Sequence, residues 1–257
     1  KNSADPVMTA AAKIKTWAVL GGSSSIGRAF AATAAAAGSN VVLAGRDLED
    51  LERTAADIQI RFGVSGDCAW FDALDTGSHD ALCEMLAERG GPVGIFLLFG
   101  FMPEQAEIDD DHQLGRQTID VNYTGAVSIL SRLAPLLDDR PGSRVIVLSS
   151  VSGDRGRLKN YVYGSAKAGL NAYLQGLRAR LYRSGSFVTT VKAGFIDTDM
   201  TFGATGLFLV ATPTACAEAC WALGLKGREI AYFPWFWRYI MLIIKTIPER
   251  IFKKMNI

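Results

Sequence analysis

The residues of this sequence with the clearest potential for chemistry are Tyr163 and Lys167. On a helix, side chains four positions apart lie on one face, so this phenol and this ammonium can enter the same cleft. A phenol titrates near pH ~10, and a nearby cation favours its charged form, which predicts a lowered pKa for Tyr163. With 7 tyrosines in the chain, such a spacing arises by chance in roughly one sequence in four. The pair therefore needs support from other segments.

A glycine-rich turn lies near the start of the sequence, between an apolar strand at 16–20 and an Ala-rich helix that reaches Ala37. Strand, glycine turn and helix together form a phosphate site, because helix N-terminal amides face the anion and missing side chains let the backbone approach. We therefore expect a dinucleotide phosphate to contact Gly21, Ser23, Ser24, Ser25, Ile26 and Gly27.

The residue that follows the second strand, predicted at 40–44, indicates which dinucleotide binds. An acidic residue there would favour a free ribose 2′-hydroxyl, whereas Arg46 offers a guanidinium to a 2′-phosphate. We therefore expect NADPH, with NADH as the less favoured cofactor. Two observations keep the alternative open: Asp47 lies next to Arg46, and Arg46 could be a solvated residue that precedes a helix.

Short apolar stretches alternate with helical stretches along the rest of the chain. Strands are predicted at 68–71, 95–99, 144–148, 187–192 and 229–233. This alternation is typical of right-handed βαβ units, and it predicts a single-domain α/β fold with a Rossmann-type, doubly wound parallel sheet. We assign the domain to 14–233, a disordered lead to 1–13 and a C-terminal amphipathic extension to 234–257.

Several candidate residues fall where strands end. Ligands of such sheets bind outside the carboxyl ends of the strands. Gly21, Asp72, Gly100, Ser150 and Gly194 all follow or end a predicted strand. Independent segments are thus expected to meet at one crevice.

Composition excludes several other classes of function. A net charge of +1 gives no global argument for nucleic acid. The four cysteines form no C-x-x-C pair and have only His79 and His112 as co-ligands, so we expect reduced thiols, a cytoplasmic protein and no metal. No stretch reaches the ~18 apolar residues that span a bilayer.

Together these segments resemble the short-chain dehydrogenase/reductase family over 16–233. The T-G-x-x-x-G-x-G loop of the family is matched by 20–27, with Leu20 for Thr and Ser25 for the middle glycine. Ser25 is acceptable as a helix N-cap. The N-N-A-G strand end of the family appears only as Leu97-Leu98-Phe99-Gly100, which places its polar cofactor contacts in question.

The resemblance implies a catalytic set of Asn122, Ser150, Tyr163 and Lys167. Tyr163 would protonate a carbonyl oxygen that Ser150 holds, as hydride arrives from the nicotinamide. Lys167 would bind the nicotinamide ribose and lower the Tyr163 pKa, and Asn122 would hold a water. Ser150 and Asn122 taken alone would be turn or cap residues. Further cofactor contacts implied by the resemblance are Asp72, Ala73, Gly100, Gly194, Ile196 and Thr198.

Two basic segments bear on the substrate. The loop before Tyr163 carries Arg155, Arg157 and Lys159. Such a charge run is usually a solvated face, but Arg155 and Arg157 could bind a substrate phosphate. The extension 234–257 clusters aromatic and basic residues, which fits the interface of an anionic membrane; a dimer contact or a helix that caps the core is the alternative.

Several short strings also resemble the branch of the family that reduces decaprenylphosphoryl-2-keto-erythro-pentose. These strings are 71–76, 122–124, 161–165 and the extension. The resemblance implies a lipid-linked ketone substrate in arabinose-donor synthesis for the cell wall, a homo-oligomer, a partner oxidase that supplies the keto-sugar, and a peripheral position on the inner face of the plasma membrane. The alternatives are a reductase of a soluble or acyl-type ketone and a catalytically idle, cofactor-binding regulator or membrane adaptor.

Overall fold

Seven parallel strands form one sheet in the part of the chain that the computed structural model describes, residues 14–198 and 209–255. The strands are β1 (Thr16–Leu20), β2 (Asn40–Gly45), β3 (Gly66–Trp70), β4 (Val93–Leu97), β5 (Arg144–Ser150), β6 (Phe187–Ala193) and β7 (Ile230–Phe233). Their order is β3-β2-β1-β4-β5-β6-β7, and every pair is parallel. The order reverses between β1 and β4, where doubly wound sheets bind ligands.

Helices cover both faces of this sheet. They are α1 (Ser25–Ala36), α2 (Leu48–Phe62), α3 (Thr76–Ala87), α4 (Gln105–Asp110), α5 (His112–Ile119), α6 (Ala126–Asp138), α7 (Tyr161–Tyr182), α8 (Pro213–Leu225), α9 (Trp237–Thr246) and α10 (Glu249–Phe252). A π-helical turn (Asp120–Gly125) precedes α6, and a 3₁₀ turn (Val151–Asp154) follows β5. One apolar core contains α3, α6 and α7, and the other contains α1, α2 and α8. The expected doubly wound α/β architecture is therefore confirmed.

Strand β1 shows why the apolar stretches predict a sheet buried on both sides. All five of its residues are buried. Ala18 and Leu20 belong to one core, while Trp17 and Val19 belong to the other. Side chains alternate between the faces of a strand, so a strand covered by helices on both faces is apolar along nearly its whole length.

The strand boundaries differ from the predicted ones where hydrogen bonding ends. We expected the fourth strand at 95–99, but β4 stops at Leu97, because the amides of Leu98 and Phe99 both donate to the Leu20 carbonyl, at 3.0 and 3.2 Å. Strand β5 runs on to Ser150, since Ser150 still pairs with Ala193 of β6. Hydrogen bonding to the neighbouring strands sets where each strand ends, and the apolar pattern of the sequence does not show that bonding.

The C-terminal extension packs on the rest of the protein. Trp237 and Met241 of α9 are buried together with Val151. The expected lead, 1–13, lies outside the residues that the structure describes.

Candidate active site

A cavity of about 700 Å³ opens at the carboxyl edge of the sheet. Among its walls are residues expected to bind a dinucleotide: Gly21, Ser23, Ser24, Ser25, Ile26, Arg46, Asp72, Ala73, Gly100, Tyr163, Lys167, Gly194, Ile196 and Thr198. Ser150 lines it as well. Segments more than a hundred residues apart in sequence thus meet at one site, as their places at strand ends predicted.

The glycine turn is held in shape by its own backbone and by one serine. The amides of Gly21 and Gly22 both donate to the Ala44 carbonyl, at 2.9 and 3.1 Å. Ser24 caps α1, since its Oγ accepts from the Gly27 amide at 3.0 Å and donates to the Gly21 carbonyl at 2.8 Å. The cap is therefore Ser24 rather than Ser25, which is the first residue of the helix.

The start of α1 suits an anion. Its first turn carries no acidic side chain, so no carboxylate opposes the positive end of the helix dipole. Gly27 does not line the cavity and instead lies behind the turn. A Cβ built on Gly27 would be 2.4 Å from the Gly21 carbonyl oxygen, so only glycine fits at this position.

Arg46 and Asp47 have different surroundings. Arg46 is exposed and lines the cavity. The Asp47 carboxylate caps α2 by accepting from the Asp50 amide at 3.1 Å. Arg46 is thus free to meet a ligand at the end of β2, while Asp47 already has a structural task.

Part of the cavity wall is apolar, and the sequence reasoning did not assign it. Phe99 packs on Phe71 with ring centroids 5.4 Å apart. The unassigned lining residues after β4 are Leu98, Phe99, Phe101, Met102 and Pro103. Their position after a strand was the available signal, since ligands of such sheets bind at strand ends.

Tyr163, Ser150 and Lys167 form a buried polar cluster in the cavity. Tyr163 and Lys167 lie in the first and second turns of α7 and are almost fully buried. Ser150, the last residue of β5, lines the cavity beside Tyr163 and is close enough to influence its titration. The Lys167 ammonium lies 5.6 Å from the centroid of the Tyr163 ring. Ser150 is itself fixed, because its Oγ accepts from the Ser152 amide at 3.1 Å.

Burial dominates the titration of this cluster. It raises the pKa of Tyr163 to about 12, and Ser150 only partly offsets it. Burial also lowers the pKa of Lys167 to about 8. The expected lowering of the Tyr163 pKa is therefore wrong for this structure, because desolvation of the phenolate raises the pKa and Ser150 opposes that rise only in part. At neutral pH Tyr163 keeps its proton and can donate it.

Asn122 is buried in the π-helical turn and holds backbone. Its Nδ2 donates to the carbonyls of Phe101 and Thr118, at 2.5 and 2.8 Å, and its Oδ1 accepts from the Phe101 amide at 3.2 Å. An amide nitrogen has two hydrogens, so both are used. Asn122 therefore fixes the chain after β4 with its side-chain amide.

Arg155 and Arg157 do not line the cavity. The Arg155 guanidinium donates to the carbonyls of Ile244 and Ile247, at 2.5 and 2.6 Å, and pairs with Glu249 at 3.0 Å. Burial lowers the pKa of Arg157, whose Nη2 is 3.1 Å from the Met241 sulfur. The expectation that Arg155 and Arg157 bind a substrate phosphate is thus corrected. Backbone carbonyls at the end of α9 lack partners within the helix, and they accept hydrogen bonds from Arg155 instead.

Comparisons with known proteins agree with this geometry. The sequence profile of the short chain dehydrogenase family matches residues 15–205. An uncharacterized oxidoreductase of Mycobacterium tuberculosis is 32% identical over 238 residues, which cover 92% of this chain and 95% of that protein.

Solved structures have the same fold. A short chain dehydrogenase/reductase family protein superposes with a TM-score of 0.75 at 26% identity, over 84% of this chain and 94% of the other. L-Sorbose reductase from Gluconobacter frateurii, complexed with NADPH and L-sorbose, superposes with a TM-score of 0.75 at 20% identity, over 85% and 94%.

We predict that Gly27→Ala weakens NADPH binding by about 10- to 100-fold, because relief of the clash with Gly21 costs ~1–3 kcal/mol and displaces the phosphate-binding turn. Fluorescence titration with NADPH measures the effect. The matched control is Gly176→Ala on α7, where a Cβ meets nothing within 4 Å. Equal affinities of the two variants would show that the turn does not bind the dinucleotide.

Proposed function

Since the chain belongs to the short-chain dehydrogenase/reductase family of NAD(P)-dependent oxidoreductases, which act on CH–OH and C=O groups, we propose that it reduces a ketone with NADPH. The observation that carries the proposal is the buried Tyr163, which lines one cavity together with Ser150 and Lys167. The glycine turn, the start of α1 and Arg46 fit a phosphorylated dinucleotide. The retained acid and its partners favour an enzyme over an idle cofactor-binding regulator.

Each residue of the cluster has a definite task in this reaction. Bound NADPH supplies the hydride. Tyr163 gives its proton to the ketone oxygen, and the Ser150 hydroxyl donates a hydrogen bond to the same oxygen. Donors aimed at a developing oxyanion are often the largest contribution to catalysis, and a positioned acid adds roughly 10²–10⁴-fold. Lys167 would hold a hydroxyl of the bound cofactor, and it carries its charge below its pKa of about 8.

The proposed ketone belongs to a polyprenyl-phosphate-linked 2-ketopentose used in arabinose-donor synthesis for the cell wall. Two features support this choice: the apolar cavity wall after β4, and the exposed apolar residues of the extension, which packs against the loop between Ser150 and Tyr163. The partner would then be an oxidase that generates the keto group, and we retain a homo-oligomeric assembly. A soluble or acyl-type ketone is the second candidate, favoured by the same apolar wall.

Tyr163 is the proposed proton donor. Tyr163→Phe removes the donated proton and should lower NADPH-dependent ketone reduction by about 10²–10⁴-fold, with NADPH affinity within a few-fold of wild type. Steady-state NADPH oxidation and fluorescence titration measure the two quantities. The control is Tyr182→Phe, which removes an exposed phenol at the end of the same helix. Unchanged turnover by the Tyr163 variant would refute the mechanism.

Arg46 is the proposed partner of the 2′-phosphate of NADPH. Arg46→Ala should raise the KM for NADPH by about 10- to 100-fold, since a charge-assisted hydrogen bond contributes ~1.5–3 kcal/mol, and should leave the KM for NADH unchanged. Arg53→Ala on α2 is the matched control, because Arg53 is exposed and pairs only with Glu49 among the described ion pairs. Parallel losses for both cofactors would contradict a 2′-phosphate contact.

The two ketone candidates differ in whether a lipid on the substrate should speed its reduction. The lipid-linked 2-ketopentose should be reduced with a kcat/KM at least about tenfold above that of the lipid-free sugar phosphate, because remote binding energy of the substrate contributes to the reaction. NADPH oxidation is measured with each compound in detergent. Equal values would favour the soluble-ketone alternative and leave the reductase chemistry intact.

A further inference from the structure

Helix α9 has two opposite apolar faces. The inner face, which contains Trp237, Ile240, Met241 and Ile244, packs on Val151 and Phe195. The outer face is exposed, with 72% of Trp235, 58% of Tyr239, 60% of Leu242 and 65% of Ile243 open to solvent. At 3.6 residues per turn, Tyr239, Leu242 and Ile243 fall within an arc of about 100°, and Trp235 lies in the turn that precedes the helix. A helix that is apolar on both faces is expected to be covered on both.

Basic side chains border this outer face. Along the helix, Arg238 and Lys245 lie at one edge of the apolar arc and are exposed. Arg250, Lys253 and Lys254 follow in and after α10, and they are exposed too. The acidic residue of the segment, Glu249, is paired with Arg155 at 3.0 Å. The surface therefore combines aromatic and aliphatic groups with a net positive charge.

We propose that the outer face of α9, together with the basic residues around α10, binds the surface of an anionic membrane. Trp and Tyr are suited to the headgroup level, aliphatic side chains to the acyl boundary, and Lys and Arg to anionic lipids. No helix among the described residues is long and apolar enough to cross a bilayer, and α9 spans only about 15 Å. The segment therefore lies in the interface.

Charge argues against a second copy of the chain as the occupant. In a two-fold symmetric contact the same patch lies on both subunits. Five basic side chains around α9 and α10 would then face the same five on the partner copy, with one acid on each side already paired. This repulsion disfavours self-association through this face, whereas anionic lipid relieves it.

Side-chain contacts join α9 and α10 to the loop after β5 and to the cavity wall. Arg155 fastens the end of α9 to the loop between Ser150 and Tyr163, and its guanidinium also lies 3.8 Å from the centroid of the Phe252 ring. The Trp237 indole packs on Gly194, where a Cβ would come within 1.9 Å of it. Gly194 lines the cavity, so lipid on the outer face would lie about one helix diameter, ~10 Å, from its wall.

Membrane binding through this face would hold the cavity wall at Gly194 near the membrane, whichever ketone is reduced. A failure of the reductase assay would leave membrane binding standing, and a failure of membrane binding would leave the reductase mechanism standing.

The test is vesicle sedimentation of the full-length chain. One set of vesicles is phosphatidylcholine alone, and the other contains about 30% phosphatidylglycerol, which supplies the negative surface. We expect at least about tenfold tighter binding to the anionic vesicles, weakened by added salt. Lys253→Gln with Lys254→Gln should weaken this binding by about 30-fold, because two basic side chains near the surface are lost.

A second variant tests the apolar part of the surface. Leu242→Gln with Ile243→Gln should abolish most binding to both kinds of vesicle while leaving NADPH affinity unchanged. The matched control, Ile60→Gln with Arg61→Gln, changes an exposed apolar and a basic residue on α2 and should bind as wild type does. Equal binding to neutral and anionic vesicles, or full binding by either α9–α10 variant, overturns the proposal. A wild-type protein that binds neither kind of vesicle also overturns it. Light scattering then shows whether a second copy covers the face instead, because in that case the wild type is a dimer and the Leu242 and Ile243 changes dissociate it.

Discussion

Burial of the Lys167 ammonium and the Tyr163 phenol beside the end of β5 is the constraint on which the site depends. Desolvation disfavours the charged form of each group, so it holds a proton on the phenol and lowers the pKa of the amine toward 8. Ser150 can lie beside the phenol only because β5 continues to its position in register with β6. Sheet pairing thereby sets the position of the acid.

The segments around the cluster are fixed by contacts that cross long stretches of sequence. Asn122 ties the chain after β4 to the π-helical turn, and Asp154 joins the loop after β5 to Lys192 and Tyr232. Arg155 then joins the same loop to the C-terminal extension. The result is a cavity whose walls come from both halves of the sheet and whose outer support is α9. Such preorganisation is what lets a small set of donors act on a developing charge.

Much of this arrangement was predictable, because it follows from local pattern. Alternation of apolar strands and helices gives the doubly wound sheet, and the position of Gly21, Asp72 or Ser150 at a strand end gives the common crevice. The partners of Arg155 lie about ninety residues away, so a run of basic residues could not disclose them. The direction of the Tyr163 pKa shift depends on whether desolvation of the phenolate or attraction to a nearby cation is stronger. The spacing of Tyr163 and Lys167 in the sequence does not reveal how deeply either is buried. The N-cap of α1 is Ser24, whereas the sequence pattern suggested Ser25, because helix ends are predicted only to within one or two residues.

The central claim is that Tyr163 presents a proton to a ketone beside the nicotinamide of NADPH. A crystal structure with NADPH and a ketone inhibitor tests it most directly. The account predicts that the ketone oxygen lies within about 3 Å of both the Tyr163 hydroxyl and the Ser150 hydroxyl, with the nicotinamide ribose on Lys167. A dinucleotide bound away from the glycine turn, or a ketone oxygen held by other residues, would contradict it.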